Sequence, residues 1–123
     1  MQDLERLRKR LRAFAKKRDW EQFHSPKNLA MALSVEAAEL LEKFQWLTEQ
    51  QSKELKANVR AAVAEEIADV MIYLTLLADK FGIDLLLESH KKVTKNSRRY
   101  PVALARGHAT RASDLKTGRK TRS

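Results

Sequence analysis

Two pairs of acidic residues are the first feature of this 123-residue sequence that could do chemistry. Glu36 and Glu39 form one pair, and Glu66 and Asp69 form the other, thirty residues further along the chain. A spacing of three places both carboxylates of a pair on neighbouring positions of one helical face. Carboxylates that converge from two facing helices make an all-oxygen ligand set, which suits Mg²⁺ or Mn²⁺. The two pairs therefore predict a divalent-metal site and metal-dependent phosphate chemistry.

Apolar residues surround the two leading glutamates in the same order. Each has an aliphatic or aromatic residue at offsets −7, −3, +4, +8 and +11. These residues are Leu29, Leu33, Leu40, Phe44 and Leu47 around Glu36, and Val59, Val63, Val70, Leu74 and Leu77 around Glu66. At about 100° per residue, the five offsets fall close together on one helical face, which predicts that both glutamates lie within apolar stripes. Because an unpaired buried carboxylate is costly, the four acids are predicted to share a cation.

A second polar cluster lies near the end of the last helical segment. Lys92, Asn96 and Arg99 fall near one helical face, and Tyr100 follows them. Cationic and amide donors suit the oxygens of a polyphosphate. The same residues also fit an ordinary basic helix end, which complements the helix dipole. The residues alone leave these two interpretations open.

Two tryptophans, Trp20 and Trp46, flank the segment that carries Glu36 and Glu39. An indole ring could stack on a planar base, and it could equally serve as an anchor in the apolar core.

Four helical segments position these residues, and no convincing strand is present. They run from Asp3 to about Arg18, from Pro26 to about Gln45 or Trp46, from about Lys53 to Lys80, and from Leu85 to about Arg98. Ser25 is the predicted N-cap of the second segment, with proline in its first turn. Gly82 is predicted to end the third segment, and Asp84 to cap the fourth. The second segment is apolar on nearly every face, so we expect it at the centre of the protein or in an oligomer.

The composition limits the class of protein. A hydrophobic content of 43% and a length of 123 residues support one globular domain with a modest core. The longest uncharged stretch, Val70 to Ala78, is too short to span a membrane, and the first residues lack the apolar core of a signal peptide. The sequence contains no cysteine, which excludes disulfides and thiolate metal ligands. We therefore expect a cytoplasmic protein that does not associate with membranes.

The net charge of +9 is concentrated towards the end of the chain. Residues 102–123 contain six basic residues and one acid, so we predict a catalytic domain over 1–101 and a largely disordered basic tail over 102–123. A basic tail can bind nucleic acid, but this one has no aromatic residues on which bases could stack. The alternative to an enzyme is therefore a helical nucleic-acid-binding or oligomerisation protein without catalytic activity.

Several motifs, in their order along the chain, resemble the MazG-type all-α nucleoside triphosphate pyrophosphatases. The motifs are Arg18-Asp19-Trp20, Phe23-His24-x-Pro26-x-Asn28-Leu29, Glu36-Ala37-Ala38-Glu39-Leu40, Phe44-Gln45-Trp46, Glu65-Glu66-x-x-Asp69-Val70-x-Ile72-Tyr73-Leu74 and Lys92-x-x-x-Asn96-x-x-Arg99-Tyr100-Pro101. The resemblance extends from about Phe14 to Gly107 and is closest to the single-domain dCTP pyrophosphatase branch. It implies a four-helix bundle-like protomer, assembled as a dimer or as a dimer of dimers.

The resemblance also implies an activity and a role for each candidate residue. The activity is Mg²⁺-dependent cleavage of a nucleoside triphosphate to the monophosphate and pyrophosphate, and the all-oxygen ligand set would also accept Mn²⁺ as a substitute. By position, Glu36, Glu39, Glu66 and Asp69 would be the catalytic metal ligands. The phosphates or the sugar would be bound by Lys92, Asn96, Arg99 and Tyr100, and the base by Trp20 and Trp46.

One position departs from the pattern. Leu11 stands where the animal dCTP-specific relatives have a histidine against the base, so the resemblance leaves the base preference open. The general base is also open, with Glu39 and Glu65 as candidates. A di-iron carboxylate bundle is disfavoured, because it needs two Glu-x-x-His pairs and the chain has only Glu21-x-x-His24.

Overall fold

The structure is a computed structural model that describes residues 3–117, so Met1, Gln2 and residues 118–123 lie outside it. Within the described part, every regular element is helical, which confirms the all-α prediction. The helices are α1 (Leu4–Lys17), α2 (Pro26–Glu42), α3 (Glu49–Lys53), α4 (Ala57–Lys80), α5 (Leu85–Arg99), α6 (Val102–Ala105) and α7 (Ala112–Thr117), with a 3₁₀ turn at Glu21–Phe23. The four predicted segments correspond to α1, α2, α4 and α5, but α2 ends at Glu42, before the predicted end at Gln45 or Trp46.

Short polar side chains begin three of the long helices. The Asp3 carboxylate accepts a hydrogen bond from the Arg6 backbone N–H at 2.9 Å and begins α1. The Ser25 hydroxyl accepts from Asn28 N–H at 3.1 Å, with Pro26 in the first turn of α2. Such caps satisfy backbone donors that have no partner inside the helix. The caps predicted at Ser25 and at Asp84, which accepts from Leu87 N–H at 3.0 Å, are therefore confirmed.

The region between α2 and α4 differs from the prediction. Thr48 and Gln51 form a reciprocal capping box, with Gln51 N–H on the Thr48 hydroxyl at 3.1 Å and Thr48 N–H on the Gln51 side chain at 2.9 Å. This cap begins the separate helix α3, which ends where Glu54 leaves the helical region with φ −131° and ψ 64°. The third long helix therefore begins at Ala57 instead of Lys53. A complete local cap in the polar break explains the difference.

Two helices end in the same backbone turn. At the end of α4, Gly82 has φ +63°, and Ile83 N–H reaches back to the Ala78 carbonyl at 3.0 Å. At the end of α1, Asp19 has φ +53°, and Trp20 N–H reaches back to the Ala15 carbonyl at 2.9 Å. This is the Schellman arrangement, in which glycine usually occupies the left-handed position. After α1 this position is occupied by Asp19, so Trp20 directly follows a constrained turn.

The core lies between α2 and α4, which pack along each other, and α1 packs on α4. Leu29 of α2 and Val63 of α4 are buried, and each belongs to the predicted apolar stripe of its helix. The other stripe residues are half-buried, except Leu74, which is 36% exposed. The stripes that surround the two leading glutamates therefore form the buried faces of these helices.

The chain divides into two compact units. The first ends at Ile83 and contains α1 to α4, and the second begins at Asp84 and contains α5 to α7. Helices α6 and α7 lie within residues 102–123, for which a separate basic tail is predicted. That domain division stays a prediction, and the last six residues of the tail lie outside the described residues. Among the described helices, none has the length and apolar content that crossing a membrane requires.

Candidate metal centre

Helices α2 and α4 bring three of the predicted acids together. Glu36, Glu39 and Glu66 each present a carboxylate oxygen, and the three oxygens lie within 4.8 Å of one another. All three side chains are half-buried. The first two come from successive turns of α2 and the third from the facing stripe of α4. Packing of the two stripes thus converges acids that are thirty residues apart in the sequence.

Two oxygens of this cluster have no hydrogen-bond partner. The Oε2 atoms of Glu36 and Glu66 are buried, and neither accepts a hydrogen bond from any of residues 3–117. A buried carboxylate oxygen without a donor is costly, and such orphaned atoms are uncommon in folded proteins. A cation bound between them would satisfy both. The donor set consists only of carboxylate oxygens, so the residues present fit Mg²⁺ or Mn²⁺.

The proton affinity of Glu36 reflects the same environment. Burial, followed by proximity to the carboxylates of Glu39 and Glu66, raises the pKa of Glu36 to about 7. The charges of Glu39 and Asp69 act in the same direction. Desolvation and like charges both disfavour the ionised form of an acid. A divalent cation would remove this penalty, because it stabilises the ionised carboxylates that the free site disfavours.

Asp69 is the fourth predicted ligand, and it is not part of the close cluster. It is half-buried on α4, three residues after Glu66, and its charge reaches Glu36. Its role as a metal ligand stays a prediction.

The two tryptophans have different surroundings. Trp20 is 44% exposed and contacts two other rings, Phe14 and His24. Trp46 is 86% exposed, and within residues 3–117 it contacts no other aromatic ring. Such exposure is unusual for a core anchor and leaves both indoles accessible to a ligand.

The predicted phosphate-binding residues lie in the second compact unit, on and directly after α5. Lys92 and Arg99 are exposed, and Asn96 is half-buried. The Asn96 carbonyl accepts from Tyr100 N–H at 2.8 Å, and the Arg99 guanidinium lies 5.9 Å from the Tyr100 ring. The proposed role of these four residues stays a prediction.

A set of ion pairs in the first unit was not anticipated from the sequence. Asp79 of α4 accepts from Arg8 Nη1 at 2.8 Å, from Arg12 Nε at 2.7 Å and from Arg12 Nη2 at 2.7 Å. Arg12, then Arg8, holds the pKa of Asp79 below its usual range. The two arginines are four residues apart on α1, which is the signal that could have identified them as a shared face. Their partner on α4 could not be identified from that spacing.

Comparison with known proteins assigns the family. Residues 31–115 match the MazG-like family, which covers more than half of the chain and includes all four predicted metal ligands. The dCTP pyrophosphatase 1 of Mus musculus is 45% identical over 117 residues, which are 94% of this chain and 69% of the relative. The human dCTP pyrophosphatase 1 is 44% identical over the same shares of both chains.

A solved structure agrees with these matches. The crystal structure of a pyrophosphatase from Archaeoglobus fulgidus superposes with a TM-score of 0.77 at 42% identity, covering 82% of this chain and 94% of that one. The chain therefore belongs to the MazG-like family. Its similarity to these relatives makes it a dCTP diphosphatase-like enzyme, which confirms the sequence-based resemblance.

Proposed function

We propose that this chain hydrolyses dCTP or a related pyrimidine deoxynucleoside triphosphate to the monophosphate and pyrophosphate, with Mg²⁺ as cofactor. One observation carries the proposal: the cluster of Glu36, Glu39 and Glu66 has two buried oxygens that no protein donor satisfies. Relatives named dCTP pyrophosphatase, 44–45% identical over most of the chain, support the substrate class.

The roles of the residues follow from their chemistry. Glu36, Glu39 and Glu66, together with Asp69, would hold the divalent metal. When bound, the metal neutralises phosphate charge and lowers the pKa of a bound water. The chain itself supplies a half-buried carboxylate cradle, which limits competition from bulk water for the metal and the phosphates. Glu39 or Glu65 would accept the proton of the attacking water.

Two other groups of residues would hold the rest of the nucleotide. The phosphates or the sugar would be bound by Lys92, Asn96, Arg99 and Tyr100, whose donors suit anionic oxygens. Trp20 and Trp46, both accessible, would stack on the base. Because stacking discriminates poorly between bases and Leu11 provides no hydrogen-bond donor, we expect weaker base selectivity than a histidine at that position would provide.

An assembly of several copies, a homotetramer built from dimers, is part of the proposal. Met31 and Val35 of α2, and Ile67 and Met71 of α4, are large apolar residues at helical spacing that are 40–55% exposed. Contiguous exposed apolar residues are typical of protein–protein interfaces. A monomer in light scattering at micromolar concentration, with full activity, would contradict this part of the proposal. The cytoplasmic location expected from the sequence also stays a prediction. We propose in addition that the reaction serves to clear unwanted nucleotides.

A nucleotide panel tests the proposed reaction. Each canonical ribo- and deoxynucleoside triphosphate is incubated with the protein and Mg²⁺, and pyrophosphate and orthophosphate are measured separately. We expect pyrophosphate without orthophosphate, the highest rates with pyrimidine deoxynucleotides, and no turnover in excess chelator. Orthophosphate release, full activity with chelator, or strong purine preference would each contradict one part of the proposal. Salt-resistant nucleic-acid binding without nucleotide turnover would favour the alternative of a binding protein instead.

A further inference from the structure

The end of α1 carries a chain of ring contacts that leads to Trp20. Trp20 meets Phe14 with ring centroids 5.7 Å apart and meets His24 at 6.5 Å, both at an interplanar angle of 70°. These are edge-to-face contacts, a preferred arrangement of aromatic pairs. Among residues 3–117, no ring lies parallel to the Trp20 indole. Trp20 is 44% exposed, so part of the residue is accessible to a planar ligand.

Arg18 lies over the ring of Phe14, one of the two aromatic partners of Trp20. Its guanidinium carbon lies 3.6 Å from the centroid of the Phe14 ring, and its Nη1 donates to the Phe14 carbonyl at 3.2 Å. In the described part of the chain, no carboxylate lies within ion-pair distance of Arg18. The guanidinium of Arg18 therefore interacts with the Phe14 ring, whose quadrupole attracts cations.

The backbone between Arg18 and Trp20 is constrained as well. Asp19 occupies the left-handed region with φ +53°, which is uncommon for a residue other than glycine. The Gln22 side chain donates to both the Asp19 carboxylate and the Asp19 carbonyl at 3.0 Å. These bonds hold the turn from which the Trp20 side chain projects. Backbone and side chain are thus restrained together.

We propose that Arg18 is a positioning residue for nucleotide binding: by holding Phe14, it fixes the orientation of Trp20 so that the free indole face is ready to stack on the base. The inference rests on the proposed function, specifically on contact between Trp20 and the base. A side chain ordered before binding loses less conformational entropy when the ligand arrives, which strengthens binding. Arg18 needs no contact with the nucleotide for this effect.

Three variants separate positioning from general stabilisation. Arg18→Met removes the cation and keeps a long stem, Arg18→Lys keeps the charge without the planar guanidinium, and Arg10→Met removes a matched exposed arginine of α1 that makes no ring contact. For each, kcat and KM are measured with dCTP and Mg²⁺. The two indole ¹⁵N–¹H signals are recorded for the same proteins without nucleotide, and a Trp46→Phe spectrum assigns them.

The expected result is a change in binding with little change in chemistry. Arg18→Met should raise KM by about two- to five-fold, the range of an exposed cation–π contact, with kcat within about two-fold of the wild type. The Trp20 indole signal should shift and that of Trp46 should not. Arg18→Lys should recover part of both effects, and Arg10→Met should show neither. An unchanged KM in Arg18→Met, equal effects in Arg10→Met, or an unmoved Trp20 signal would overturn the inference.

Trp20→Ala distinguishes failure of this inference from failure of the proposed base site. If Trp20→Ala raises KM and Arg18→Met does not, the base site stands and the positioning role of Arg18 is wrong. If Trp20→Ala leaves KM unchanged, the assignment of Trp20 to the base is wrong, and the inference fails with it. Absence of pyrophosphate release from every nucleotide would contradict the proposed function itself, independently of Arg18.

Discussion

Helix α4 carries Glu66 and Asp79 in opposite environments. Glu66 lies with Glu36 and Glu39, and its Oε2 atom is buried without a donor. Asp79 has a side chain only 13% exposed, and both of its oxygens accept hydrogen bonds from arginines of α1. Within residues 3–117, arginines pair with Asp79, whereas no basic side chain forms an ion pair with Glu36, Glu39 or Glu66.

The difference shows which acids serve the fold and which serve a ligand. The pKa of Asp79 is lowered by Arg12 and Arg8, so its ionised form stabilises the folded state. The pKa of Glu36, beside Glu66, is raised to about 7 by burial and neighbouring carboxylates, so ionisation of this site destabilises the fold when no cation is bound. A cluster such as Glu36, Glu39 and Glu66, which lowers the stability of the fold when no ligand is bound, is typical of a binding site.

The largest expected effect comes from neutralising the unpaired cluster. Glu36→Gln and Glu66→Gln should each lower turnover by at least about 100-fold, because the amide keeps the shape and loses a metal-binding charge. Their thermal midpoints in chelator should be equal to or above that of the wild type. The control is Glu42→Gln, an exposed acid at the end of α2 outside the cluster. Full activity in both cluster variants would remove the distinction between the two regions.

Neutralising the paired acid should have the opposite profile. Asp79→Asn should lower the free energy of unfolding in urea by about 1–3 kcal/mol, because it weakens charge-assisted bonds to Arg8 and Arg12. Turnover per folded molecule should stay near the wild-type value. Glu88→Gln, which loses a surface pair with Lys91, should cost less than about 1 kcal/mol. If Asp79→Asn abolished turnover without loss of stability, Asp79 would belong to the functional region instead.

The pH dependence of stability should differ between the two regions. Glu36 has a folded-state pKa of about 7 against an ordinary value of 4.5, so without metal its contribution is favourable below 4.5 and is lost as pH rises to about 7. The contribution of Asp79 has the opposite sign, present above its ordinary value of 3.8 and lost as pH falls below it. Urea unfolding in chelator measures both slopes. Glu36→Gln should reduce the loss of stability between pH 4.5 and about 7. A loss unchanged by this variant would contradict its assignment to Glu36.

The smallest expected effect is that of replacing Arg12, the more exposed of the two arginines that pair with Asp79. Arg12 supplies two of the three bonds to Asp79 but is 56% exposed, whereas Arg8 is 29% exposed and also pairs with Glu5. Because solvent screens exposed pairs, Arg12→Met should lower the free energy of unfolding less than Asp79→Asn does, measured in urea under the same conditions. The loss should shrink in about 1 M salt. A loss that is independent of salt would indicate packing by the arginine stem instead of charge.

Local interactions explain why much of the fold could be predicted. Caps at Ser25 and Asp84, and the left-handed glycine after α4, depend on residues a few positions apart, so sequence spacing is enough to identify them. The capping box at Thr48 is equally local, and recognising it would have placed the start of α4 correctly. The apolar stripes placed Glu36 and Glu66 on the buried faces of their helices for the same reason.

The sequence by itself thus determined the all-helical fold and the helix faces that carry Glu36 and Glu66, because helical periodicity orders residues within about two turns. Only the tertiary structure decided what each acid meets. The pairing of Asp79 with Arg8 and Arg12 joins residues about seventy positions apart, and no spacing rule predicts such contacts. The two orphaned oxygens, the position of Asp69 outside the close cluster and the cover of Arg18 over Phe14 likewise depend on packing, which selects one partner among many of similar chemistry.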